Sequence, residues 1–199
     1  MNQFLEDWNK ELDDLEVQIS LGKDEVAEAF EKQKAAFTEF VNESKNKISA
    51  LASAETAQKL KGKLESLQVQ LALGKAETRE AYEEQKNNLE EAIREAKEEY
   101  EEFMSSFGEK KQELSGDLSA QFEKFRTKMD LFRLQFALGT ADAKDDLQEK
   151  KKELQETLSS LRAKIEVKKE TAEETWEEFS EEVSETYDYF KDAVKKLFS

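Results

Sequence analysis

One pattern occurs three times along this chain, and it carries a helical hydrophobic period straight through a glycine each time. Residues 12–45 and 64–97 align without a gap around the shared core Val-Gln-x-x-Leu-Gly-Lys. Residues 129–162 keep Gln135, Leu138 and Gly139 of it. A repeat of this kind marks a modular helical architecture, because each unit buries its face only against its neighbours.

The apolar positions step by threes and fours, which keeps them on one helix face. The first seam runs Leu5, Trp8, Leu12, Leu15, Ile19, Gly22, Val26, Phe30, Gln33, Phe37, Val41, Ser44, Ile48. The second passes through Leu60, Leu64, Leu67, Leu71, Gly74, Thr78, Tyr82, Gln85, Leu89 and Ile93. The third passes through Phe125, Met129, Phe132, Phe136, Gly139, Ala143, Leu147, Lys150 and Leu154. Several stretches step 4-4-3, a period that winds nearly straight, unlike a heptad.

The glycines admit two readings. Leu-Gly-Lys is a plausible helix end, since glycine takes the left-handed conformation that closes many helices. Yet the seam keeps its phase across all three, and a turn has no need to preserve phase. The reading favoured from the sequence is therefore a continuous helix through each glycine, at about 1 kcal/mol relative to alanine.

Symmetry points the same way. Antiparallel helices set Gly22 opposite Gly74 if the first turn centres on residue 48. They set Gly74 opposite Gly139 if the second centres between 106 and 107. Both places are weak in apolar spacing: 46–53 reads NKISALAS and 105–108 reads SSFG. The expected fold is all-α: an elongated antiparallel three-helix bundle or coiled coil over 1–162, with helices about 70 Å long. A C-terminal amphipathic helix, 163–199, either prolongs the third helix or folds back as a fourth.

Composition agrees with long, thin elements. Charged residues make up 39% and apolar ones 37%, with no proline, a balance suited to helices that bury one stripe each. The glycine layer, with Gln18, Gln70 and Gln135 four residues before each glycine, has two readings. It is either a packing and register device or the lining of a small-molecule cavity.

The tail carries its own period of eleven. Trp176, Tyr187 and Phe198 align, as do Phe179 with Phe190 and Val183 with Val194. This stripe packs on the bundle or another copy, or docks on a partner helix or a lipid surface. Its polar face is acid-rich, whereas surface-active helices more often carry lysine there.

Catalytic classes find little support. Histidine and cysteine are absent, which removes the commonest general base and metal ligand and all thiolate chemistry. Glutamates such as Glu95, Glu98, Glu99 and Glu102 lie at helical spacing, but four-helix di-iron sites pair theirs with Glu-x-x-His. No enzyme, metal or cofactor is expected. The net charge of −16 opposes nucleic-acid binding. No run of apolar residues suffices to span a membrane, and the start, MNQFLEDWNKELDDL, shows no secretory signal. A cytoplasmic setting is expected.

An acidic helical repeat over 64–97 followed by TWEEFSEEVSETYDYFKDAVKKLF within 171–198 resembles small acidic coiled-coil proteins of cyanobacteria and other bacteria linked to stress responses. Tyr187 stands where that pattern tends to repeat a tryptophan. The resemblance implies a cytoplasmic protein with no catalytic residues. The period of eleven is also similar to that of exchangeable apolipoproteins and desiccation-protection proteins. The functional expectation is a structural or interaction protein that associates with itself or with partner helices. A reversible lipid-surface or protective protein is the alternative, and a small-molecule carrier using the glycine layer the second alternative.

Overall fold

Helical spacing and the lack of proline leave few ways to fold other than helix against helix. The computed structural model describes residues 2–51, 55–106, 117–139, 144–170 and 176–198, and among these every regular element is an α-helix. The order is α1 (Asn2–Ser20), α2 (Lys23–Leu51), α3 (Glu55–Leu71), α4 (Arg79–Ser106), α5 (Asp117–Leu138), α6 (Lys144–Glu170) and α7 (Trp176–Lys196). The chain forms two compact units. One is built from 1–26 together with 130–199, the other from 27–129.

In the 27–129 unit, consecutive helices run antiparallel. Lys45 of α2 reaches Glu65 and Gln68 of α3, at 3.0 and 2.9 Å, while Asn42 meets Gln68. Lys63 of α3 pairs with Glu95 of α4 at 2.9 Å, and the Thr56 and Ser106 hydroxyls meet at the far end. Lys97 of α4 pairs with Glu123 of α5 at 3.0 Å. Inside lie the seam residues Phe30, Leu64, Leu67, Leu89, Ile93 and Phe122, all buried. Phe37 stacks on Phe125 with ring centroids 4.1 Å apart. Phe30 meets Tyr82 edge to face, a favoured aromatic geometry.

The other unit joins α1 to the end of α5, α6 and α7. Its core holds Leu12, Leu15 and Ile19 from α1, with Leu131 and Leu134, Leu154, Leu158 and Leu161, and Phe179, Val183 and Phe190. α7 folds back on α6, with Lys164 paired to Glu182 at 2.5 Å. The C-terminal helix thus reverses and does not prolong the third. α6 itself runs unbroken across 162/163, where the repeat ends.

The helices are not continuous through the glycines, contrary to the phase argument. α1 ends at Ser20 and α2 begins at Lys23; α3 ends at Leu71 and α4 begins at Arg79; α5 ends at Leu138 and α6 begins at Lys144. At Gly74 the chain reverses, so the expected second rod is the α3–α4 hairpin. The cause lies in local hydrogen bonding. Gly22 sits at the N-cap of α2, its N–H donating to Glu25 Oε2 at 3.1 Å, one half of a capping box. Thr78 caps α4, its Oγ1 accepting the Ala81 N–H at 3.2 Å, the usual way to satisfy an orphan donor of the first turn. The Gly139 N–H closes the end of α5 on the Gln135 carbonyl at 3.2 Å; residues 140–143 lie outside the described part.

Neither Gly22 nor Gly74 allows a close helix approach. A Cβ at Gly74 would meet nothing within 4 Å, and at Gly22 only Glu25 Oε2 at 3.5 Å. Their contribution is a weakened helix at positions where caps take over.

Candidate functional site

Long apolar seams interrupted by polar residues concentrate the chemistry of this chain in a few buried positions. The deepest is Lys34, 2% exposed. It lies four residues after Phe30 and three before Phe37, a spacing that fits the core face as well as the Gln33 chosen from the sequence. Its ammonium donates to the Leu73 carbonyl at 2.8 Å and to Gln85 Oε1 at 3.2 Å. Glu31 Oε1 lies 2.8 Å away, and Gln85 Nε2 donates to the Gly74 carbonyl. The Leu73 and Gly74 carbonyls lie in the turn just past the end of α3, where backbone acceptors need a donor, and a lysine near the negative end of a helix suits them electrostatically. Lys34 is therefore the clasp of the α3–α4 turn.

The same repeat position is Lys86 in the second copy and Lys151 in the third. Lys86 is buried and pairs with Glu90 at 2.6 Å. Lys151 reaches Gln135 Oε1 at 3.3 Å, and burial pulls its ammonium below the ordinary lysine value.

The glutamines of the proposed glycine layer divide. Gln135 is buried and donates from Nε2 to the Ile19 carbonyl at 2.9 Å, in the last turn of α1. One amide thereby ties the ends of α1 and α5 together, with Lys151 on its other side. Gln18 is 3% exposed, and neither its Oε1 nor its Nε2 meets a hydrogen-bond partner among the described residues. Gln70 is half-buried and lies in the other unit, as does the exposed Gly74; Gly22 and Gly139 lie with Gln18 and Gln135.

The stripe of the C-terminal helix faces inward. Phe179, Val183, Tyr187, Phe190 and Val194 are all buried, and Phe198 is half-buried with the Arg133 guanidinium 4.3 Å from its ring centroid. Trp176 opens α7, and its side chain lies outside the described residues. α6 packs against this stripe, and α1 meets it at Tyr187. Trp8 meets Tyr187 edge to face at 4.8 Å, and the Tyr187 hydroxyl lies 3.5 Å from Glu11 Oε1. Burial, reinforced by the Glu11 carboxylate, pushes the Tyr187 phenol well above its ordinary value. Outside the core, Arg162 of α6 clamps Asp13 and Glu16 of α1, the Glu16 contact at 3.0 Å, and both carboxylates hold its guanidinium charged.

A groove of about 200 Å³ runs between α6 and α7, lined by Lys150, Leu154, Tyr189, Lys196 and Leu197 among others. It is smaller than the few hundred Å³ usual for a small-molecule pocket and lies on a different element pair from Gln18. Among the described residues no group of three carboxylate, histidine or cysteine side chains is placed to hold a metal ion, and no helix is long and apolar enough to cross a membrane.

No protein-family model, curated protein or solved structure matches this chain.

Proposed function

We propose that this chain is a non-enzymatic helical scaffold that works by associating with a helix of another copy or of a partner protein, in a cytoplasmic and stress-related setting. The observation that carries this reading is the place of the α7 stripe. Its aromatic face is held by α1 and α6, and each contact is of the helix-on-helix kind that a partner helix reproduces. The exterior of both units is dense in charge, with short-range pairs such as Glu91–Arg94–Glu98 and Asp188–Lys191. Pairs of this sort add little stability and keep the closed form soluble.

Sedimentation equilibrium over a wide range of protein concentration tests the reading. A reversible shift from monomer to dimer supports it; a monomer throughout, with no helix peptide bound, overturns it.

A second reading rests on the polar residues in the core. Gln18, Lys34, Lys86 and Gln135 replace apolar side chains there, which suits a bundle that opens on a lipid surface and spreads its amphipathic helices. Flotation with neutral and anionic liposomes separates the two, because only the lipid reading places the protein with the vesicles.

A further inference from the structure

Three features of α1 set it apart from the rest of its unit. First, it is joined to the other helices only across the whole of 27–129, which forms a unit of its own. Docking α1 on α6 and α7 therefore pairs segments far apart in sequence, as Glu16 with Arg162 and Trp8 with Tyr187. Second, its buried face is broken by polar groups. Among its described side chains Leu12, Leu15 and Ile19 are buried beside Glu11 and Gln18, and the Gln18 amide meets no hydrogen-bond partner among the described residues. Third, α1 ends at Ser20, and residues 21 and 22 are outside any helix.

What α1 covers is specific. Its seat offers the Tyr187 ring to Trp8, the Arg162 guanidinium to Asp13 and Glu16, and the Gln135 amide to the Ile19 carbonyl. An occupant needs three apolar residues at helical spacing, an aromatic one turn earlier, and two acids three apart on the flank. The α1 of a second copy meets every one of these conditions by identity.

We infer that the seat formed by α6, α7 and the end of α5 is an interaction surface for α1 of another copy, so that two chains associate by exchanging their N-terminal helices. Such an exchange re-forms every contact of the closed unit in trans, which makes it a low-cost route to a dimer. It replaces the pairing within each chain with a concentration-dependent encounter between chains. With 16 net negative charges on each copy, the exchange is favoured by added salt, which screens the repulsion. This inference rests on the self-association reading and names its partner and surface.

The chain has no cysteine, so introduced thiols are the only ones present. One preparation carries Glu16→Cys, a second Arg162→Cys. They are mixed, equilibrated at high concentration in moderate salt and treated with a short bismaleimide. Circular dichroism checks that both remain helical, and Asp13→Cys replaces Glu16→Cys if the first does not. Exchange predicts a cross-linked heterodimer at least about ten-fold above that from a collision control pairing Glu16→Cys with Glu65→Cys. A dimer in sedimentation without that cross-link overturns the exchange and leaves self-association standing. A monomer at every concentration, with no cross-link between chains, overturns both.

Discussion

Replacing Lys34 by methionine keeps most of the side-chain stem and removes the ammonium with its charge and donors, which isolates the clasp of the α3–α4 turn. The ammonium makes a 2.8 Å bond to the Leu73 carbonyl, a 3.2 Å bond to Gln85 and a 2.8 Å ion pair with Glu31. Hydrogen bonds involving a charged group contribute about 1.5–3 kcal/mol each to stability. The loss is not the sum of the three. Leu73 is exposed, so water takes over part of its carbonyl's bonding, and Gly74 keeps Gln85 Nε2, while the buried Glu31 Oε1 loses its cation. Replacing a buried ion pair by apolar atoms also recovers desolvation. A net destabilisation of about 2 kcal/mol follows. For a chain of this length that lowers Tm by roughly 4–8 °C. Urea unfolding followed by circular dichroism reads it, with Lys32→Met as the comparison, because Lys32 pairs with Glu28 on the open surface and its loss leaves stability unchanged. If Lys34→Met proves as stable as the parent chain, the clasp is not what holds the turn and the reasoning fails.

Three further outcomes follow from the same structure. Gln18→Leu removes two buried amide atoms that have no hydrogen-bond partner among the described residues and raises stability by about 1–3 kcal/mol in urea unfolding; a loss instead means that the amide is bonded after all. Tyr187 has a raised phenol pKa, so above about pH 10 the unfolded chain gives up this proton first and stability falls as pH rises. Tyr187→Phe therefore lessens the alkaline loss by up to about 1.4 kcal/mol per pH unit, and identical pH profiles for the two proteins would contradict the burial argument. Gly62 lies exposed inside α3 with nothing within 4 Å of a would-be Cβ, so Gly62→Ala raises Tm by the equivalent of about 1 kcal/mol.

The seam made much of the fold legible. Leu12, Leu15, Ile19, Phe30, Leu64, Leu67, Leu89, Phe122, Leu154 and Leu158 all fall in the core, as their spacing implies. The weak stretches at 46–53 and 105–108 fall where α2 and α4 end, at Leu51 and Ser106. The break at Gly74 was hidden because phase is a poor test of continuity. Both arms of a helical hairpin bury their faces in the same core, so the spacing survives the turn. The signals present were local: Thr78 ahead of an acidic first turn, and a lysine at a position equally suited to the seam. Lys34 was passed over because a charged residue reads as surface, and only a carbonyl cluster supplied from a distant segment makes its burial favourable. The stripe from Phe179 to Val194 was legible as an apolar face, but not what covers it. α6 packs against it and α1 meets it at Tyr187, with Trp8 more than 150 residues away in sequence, and no local pattern records such a pairing.

The central claim is that the α7 stripe is closed beneath α1 and α6. Hydrogen–deuterium exchange of the whole chain, read by mass spectrometry on peptides from α1, α6 and α7, tests it most directly. The account predicts that amides of 179–194 are protected to the same degree as those of 154–165, with α1 exchanging sooner than either. Exchange of 179–194 at the rate of an unstructured peptide, while α6 stays protected, would contradict it.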